Sequence, residues 1–218
     1  MSTQLHLTND ELLTTTRTVR KRLDFSRPVE MQVMHECLEI AMQAPSGSNR
    51  QRWQFVLITD AEQKRAVSEY YRKGYQEYAE SASAAGKLFA DQPERSQVQK
   101  RVQTSVDYLA EHMHEAPVLF LPCFMGRPDG QPAANQASPW GSIIPAVWSF
   151  MLAARARGLG TAWTTLHLKY EKEVAEILAI PYEQVTQVAL IPVAYTLGTD
   201  FKPAPREPLA TVLHLNKW

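Results

Sequence analysis

The chain predicts an α+β or α/β domain in which helices are layered around a small central sheet. Three observations carry this. Apolar runs of strand length recur at residues 54–59, 116–125 and 185–196. Segments with apolar residues at helical spacing precede these runs and separate them. No internal repeat or low-complexity tract interrupts the 218 residues, a length that fits one domain and buries a sizeable core.

Thr8, with Glu11 three residues on, forms a capping box that opens a short first helix. Its end merges into Arg17-Thr18-Val19-Arg20-Lys21-Arg22, four cations that are either a solvated face or an anion site. Pro28 suits the first turn of a second helix, in which Met34, Cys37, Leu38 and Ala41 form an apolar stripe. That helix must stop before Pro45. Residues 44–53 (APSGSNRQRW) then read as a polar loop, a plain connector or a binding site, ahead of the first strand. Asp60 caps a longer helix through Val67, Tyr70 and Tyr71, and residues 80–92 read as a mobile connection. Pro93 starts another helix with a stripe of Val98, Val102, Val106, Leu109 and Met113.

The run at 116–125 is apolar enough for a central strand. Residues 126–140, rich in Pro, Gly and Ala, predict a long loop, with a strongly apolar helix starting near Ser142. Arg155, Arg157 and Gly158 give this helix a cationic last turn and a C′ glycine. A short strand or turn at 159–165, a helix at 170–179 stopped by Pro181, and a third strand at 185–196 follow. The tail ends in a β-like stretch at 211–215.

Lysine plus arginine equals aspartate plus glutamate at 23 each, which argues against a nucleic-acid partner. Cys37 and Cys123 lie far apart and read as buried free thiols of a reducing compartment. The longest apolar run is too short to span a bilayer and the N-terminus has no signal-peptide pattern, so the expectation is a cytoplasmic protein without membrane association. The sequence holds none of the G-x-S-x-G, H-E-x-x-H, P-loop or dinucleotide fingerprints. His112 and His114 sit about 200° apart on a helix, poor geometry for a metal. What remains is arginine for a phosphate, and Asn and Gln amides for a flat heterocycle, without a nucleophile of its own. Such a site leaves the chemistry to a nucleotide-like cofactor.

Three segments, in order, resemble the hallmarks of the nitroreductase family of FMN-dependent enzymes that oxidise NAD(P)H. Arg17-Thr18-Val19-Arg20 resembles its phosphate-binding turn. Residues 44–53 resemble its A-P-S-x-x-N-x-Q-x-W loop, the most specific of the three. Residues 158–163 (GLGTAW) resemble its G-L-G-[ST]-x-W stretch. The resemblance spans the chain from about Thr15 onward. It implies one α+β domain over residues 1–218, a mainly antiparallel sheet flanked by helices, and an intertwined homodimer with FMN in the interface. A lid around 70–92 and a C-terminal extension around 197–218 are expected with it.

Carried over by residue, the resemblance gives Arg17, Thr18, Arg20 and Arg206 to the FMN phosphate and ribityl chain. Pro45, Ser46 and Ser48 would border the isoalloxazine, one serine coming from the partner subunit. Asn49 and Gln51 would lie at the ribityl or ring edge, and Gly160 and Thr161 beside the reactive N5. NADH or NADPH would supply hydride and a small electron-poor acceptor, a nitro compound or quinone, would receive it in ping-pong order. Use of reduced flavin with O₂ in a fragmentation or dehalogenation reaction, or FMN binding without catalysis, are the alternatives. The chain departs from the pattern at Thr16 and Ala204, where basic residues are common, and Lys202 is the candidate substitute.

Overall fold

The computed structural model describes residues 4–218. Its elements are α1 (Asn9–Thr15), β1 (Leu23–Asp24), α2 (Met31–Ala41), β2 (Trp53–Ile58), α3 (Ala61–Glu80), α4 (Pro93–His112) and β3 (Val118–Met125). They continue as α5 (Ala133–Ala156), β4 (Leu159–Thr161), α6 (Glu171–Ile177), β5 (Val185–Gln187) and β6 (Ile191–Thr196). The named strands pair antiparallel throughout, in the order β1-β6-β3-β2, with β4 on the other edge of β6 and β5 on β3. The fold is therefore α+β.

β3 explains why its sequence reads as an unbroken apolar run. Val118, Phe120 and Phe124 join the cluster formed with α2 and α5, while Leu119, Leu121 and Cys123 join that of α3, α4 and α6. Side chains of a strand alternate between faces, so a strand covered by helices on both sides must be apolar throughout. Met34, Cys37 and Ala41 are fully buried in the first cluster, and Val67, Tyr71 and Leu109 in the second. Both cysteines are buried and free; burial pushes the Cys37 thiol up to about 11 and the Cys123 thiol up to about 12.

The caps hold as the sequence predicts. The Thr8–Glu11 capping box is complete, Asp60 accepts from the amides of Glu62 and Gln63, and Pro93 occupies the first turn of α4. Four expectations need correction. Pro28 lies outside α2, whose N-cap is Glu30. The expected long loop at 126–140 shrinks, because α5 begins at Ala133 and continues through Pro139 and Pro145. Each proline removes one helical hydrogen bond, but Ile143, Ala146, Val147 and Phe150 are buried and their packing offsets the loss. The strand at 185–196 is two strands, β5 and β6, which pair with opposite ends of β3. Finally, residues 211–215 form no strand; a 3₁₀ turn at Leu209–Thr211 leads into exposed chain with no sheet edge beside it.

The cations expected at the end of α5 point inward. Arg155 donates to Thr15 Oγ1 (3.3 Å) and the Thr199 carbonyl (3.0 Å), and Arg157 pairs with Glu36 at 3.1 Å. Gly158 takes the left-handed conformation (φ 76°) that ends the helix and turns the chain into β4. No described helix is long and apolar enough to cross a membrane.

Candidate functional site

Two hollows contain five of the eleven residues singled out by sequence. The first is lined by residues 17–22 together with Asp200, Phe201 and Lys202. It exists because residues 18–19 extend the sheet. Thr18 bridges Thr161 in parallel, and the Val19 amide donates to the Thr161 carbonyl at 2.9 Å. The chain is thereby held with Arg17, Arg20, Lys21 and Arg22 around one hollow, joined by Lys202 from the tail.

Partners fix these cations without neutralising most of them. Arg17 Nη1 donates to the Lys202 carbonyl (3.1 Å), and Arg20 Nη1 to Ser105 Oγ (3.0 Å) on α4. Among the described residues of this hollow Arg22 is the one in an ion pair, with Asp200 at 2.6 Å, and it also lies over the Phe201 ring. Arg20 Nε is buried and has no hydrogen-bond partner among the described residues. Burial holds the Arg20 guanidinium below its usual range, an effect opposed by Tyr71 and Tyr78 nearby. Five cations, one carboxylate and an unsatisfied buried N–H form a donor set suited to a dianion such as a phosphate. The residues present therefore fit the phosphate of FMN.

Gly160 and Thr161 are enclosed and line neither hollow. A Cβ on Gly160 would lie 2.7 Å from Thr196 Cγ2 and 2.9 Å from Leu23 Cδ2, so glycine is required there by packing. Thr161 is 3% exposed and its backbone pins Thr18 and Val19. Arg206 stands apart from Arg17 and Arg20. It donates to its neighbour's carbonyl, Pro205 O, and lines a separate surface hollow with Phe89, Arg95 and Gln99.

The second hollow, about 270 Å³, lies between residues 46–53 and the first half of α5. Ser46 and Gln51 line it; Pro45, Ser48 and Asn49 are exposed beside it. The loop backbone is unusual. Ser48, Asn49 and Gln51 all have positive φ (53°, 50° and 49°), a region that costs a non-glycine residue about 1–2 kcal/mol. Side-chain clasps hold it there. The Gly47 amide donates to Ser142 Oγ at 2.9 Å, the Gln51 amide to Ser46 Oγ at 3.2 Å, and Gln51 Nε2 to Asn49 Oδ1 at 2.9 Å. Strain of this kind gathers at functional sites. The two hollows share no lining residue.

Ser105, Phe201 and the pair Arg50 and Arg52 escaped the sequence reading. Ser105 belongs to a helix whose apolar stripe drew attention elsewhere, and only the charge of residues 50 and 52 was available as a signal. No group of three metal-ligating side chains occurs among the described residues.

Comparison with known proteins places these features in a family. A sequence profile described as Nitroreductase family matches residues 13–195. A protein of Archaeoglobus fulgidus with the provisional name NADH dehydrogenase/NAD(P)H nitroreductase is 25% identical over 211 residues, 95% of this chain and 97% of that protein. Among solved structures, iodotyrosine deiodinase bound to FMN and 3-iodo-L-tyrosine superposes with a TM-score of 0.70 at 22% identity, covering 96% of this chain and 99% of its own. An FMN- and NADPH-dependent nitroreductase from Sphigopyxis sp. strain HMH gives 0.70 at 21%, covering 97% and 100%. The two structures establish likeness of fold.

Proposed function

Because the chain belongs to the nitroreductase family, we propose that it is an FMN-dependent oxidoreductase that takes hydride from NADH or NADPH and reduces a small electron-poor acceptor. The observation that carries this reading is the first hollow, where Arg17, Arg20, Lys21 and Lys202 form no ion pair among the described residues and a buried guanidinium N–H is unsatisfied. When bound, FMN supplies the two-electron chemistry, accepting hydride and passing it on.

The protein's own part is to bind, orient and exclude water. Arg17, Arg20 and Lys202 hold the phosphate, with the Thr18 hydroxyl beside them. Gly160 and Thr161 act from beneath, by fixing Thr18 and Val19 on β4. The strained loop, with Pro45, Ser46, Ser48, Asn49 and Gln51, presents its polar groups to the heterocycle. Reductant and acceptor use one place in turn, so no strong general base is needed.

A second copy completes the site in this reading. The arginine turn and the 44–53 loop occupy separate hollows within one chain, and a serine reaching across a twofold interface would unite them. Exposed Ile144 and Trp148 on α5, and Leu209, Val212, Leu213 and Leu215 in the tail, supply apolar surface for that contact. Residues 70–80 of the expected lid are the second half of α3, which narrows the proposed lid to residues 81–92. Gln103 and Tyr78 secure it through the amides of Gly86 and Ala85.

The test is direct. Purified protein should be yellow, run as a dimer by light scattering, and bleach on addition of NADH or NADPH without oxygen. A nitroaromatic or quinone should restore the colour. A colourless protein that takes up no FMN sinks the reading. Colour that neither nicotinamide bleaches leaves a binding protein, and reoxidation by O₂ or an aryl halide alone points to the alternative chemistries.

A further inference from the structure

The second hollow carries a charge pattern that phosphate binding does not use. Trp53, Phe124 and Ile143 give it apolar surface, and Phe124 is braced edge-on by Trp140 (centroids 5.2 Å apart, planes at 84°). Arg50, Arg52 and Arg127 all line it. Arg127 is already neutralised, by Asp129 at 2.7 Å and by both oxygens of Glu171 at 2.7 and 3.0 Å. Arg50 and Arg52 are exposed, and neither guanidinium has a hydrogen bond, ion pair or ring contact among the described residues. Among the described residues, no carboxylate lines the hollow.

The scaffold around these two arginines is built in advance. The run of positive-φ residues at 48, 49 and 51 fixes the loop on either side of Arg50, and Ser142 of α5 holds its start through the Gly47 amide. A preorganised loop loses less entropy when a ligand arrives, so its cations can contribute more than free surface arginines would. About 270 Å³ is room for a single substituted ring and too little for a dinucleotide. Guanidinium pairs match the planar, two-oxygen geometry of a carboxylate.

We infer that this hollow is a subsite for a small aromatic acid, whose ring packs on Trp53 and Phe124 and whose carboxylate pairs with Arg50 and Arg52. This names the acceptor class within the oxidoreductase reading and rests on that reading for its role in turnover; the binding itself does not. The acid end anchors the molecule and leaves its electron-poor end free for reduction.

The test uses 4-nitrobenzoate as probe and 4-nitrobenzyl alcohol as its neutral counterpart, by calorimetric titration of the purified full-length protein with its FMN content measured separately. The benzoate should bind about tenfold more tightly than the alcohol at low salt. That preference should vanish in the Arg50→Ala/Arg52→Ala variant while FMN content holds, and should shrink in about 0.5 M salt. Equal affinity for the two probes overturns the inference, as does a double variant that keeps the preference. If the double variant fails to fold, a wild-type preference that salt does not change overturns it as well. A colourless protein that still prefers the benzoate keeps the subsite and sinks the reductase reading. A yellow, reducible protein without the preference sinks the subsite alone.

Discussion

In the hollow at residues 17–22 the cations are fixed by distant parts of the chain, whereas in the hollow at 46–53 they are fixed by their own backbone. Arg17 is tied to Lys202, Arg20 to Ser105 and Arg22 to Leu197 and Asp200. Arg50 and Arg52 have no such ties; three left-handed residues and two serine hydroxyls place them. The first hollow therefore depends on the whole fold, since β4, α4 and the tail must all dock before it exists. The second depends on one loop, the end of β3 and one helix. In the proposed reading this divides a permanent ligand from a transient one: the cofactor's phosphate would sit where the fold is most constrained, and the exchangeable molecule where sequence changes cost little elsewhere.

The largest expected effect breaks the first hollow. Charge-assisted hydrogen bonds contribute about 1.5–3 kcal/mol each, so Arg17→Ala with Arg20→Ala should weaken FMN binding at least a hundredfold. Flavin fluorescence during titration of apoprotein measures it. Arg206→Ala should cost less than threefold, because Arg206 lines a different hollow. A loss equal to that of the Arg17→Ala/Arg20→Ala variant would show that the tail moves Arg206 onto the phosphate.

The next effect concerns the 3₁₀ turn at Leu166–Tyr170, which packs against α3 and lines neither hollow. His167 in this turn is fully buried, and neither ring nitrogen has a partner among the described residues. Burial alone pushes its pKa down from 6.5 to about 3. The folded state therefore holds the ring neutral while the unfolded chain binds a proton below pH 6.5. Stability contributed by this group is full above that value and falls by about 1.4 kcal/mol per pH unit as pH drops toward 3. His167→Phe should flatten the dependence of the urea midpoint on pH between about 6 and 4. Parallel curves for variant and wild type would remove His167 as the source of acid sensitivity.

Much of this was legible in the residues, and the failures share a cause. Thr8, Asp60 and Pro93 announce helix starts because capping is a local hydrogen-bond problem, solved within three residues. β3 was legible because burial on both faces leaves no alternative to apolar side chains. The start of α5 was not, since Pro139 and Pro145 ordinarily break helices and only the burial of Phe150 and its neighbours overrules them. At the site, residues 17–20 and 44–53 were visible as motifs. The enclosure of Gly160 by Thr196, Leu23 and Val19, and the separation of Arg206 from Arg17, are decided by contacts across more than thirty positions, which no local pattern encodes.

Smaller effects sharpen the second half of the comparison. Ser142→Ala removes the acceptor of the Gly47 amide and should cost about 1 kcal/mol in denaturant stability. It should also lower 4-nitrobenzoate affinity more than FMN affinity, since the arginine turn that would hold the phosphate is untouched. An equal drop in both affinities would mean that the two hollows are coupled and that the loop's clasp serves the whole site.

Ser48→Gly is expected to have the smallest effect on stability and to be the most informative about the loop. Ser48 is exposed and accepts φ 53° at a steric cost that glycine does not bear. Glycine also raises the entropy of the unfolded chain, which opposes the gain, so the net change should stay within about 1 kcal/mol and favour the folded state. The freed loop, however, would hold Arg50 and Arg52 less firmly. Stability should therefore rise slightly while affinity for 4-nitrobenzoate falls severalfold, a divergence measurable by thermal melting and calorimetry on the same sample. If both quantities rise together, the strain at residues 48–51 does not serve to place the arginines, and the division between a fold-built and a loop-built hollow fails at its second term.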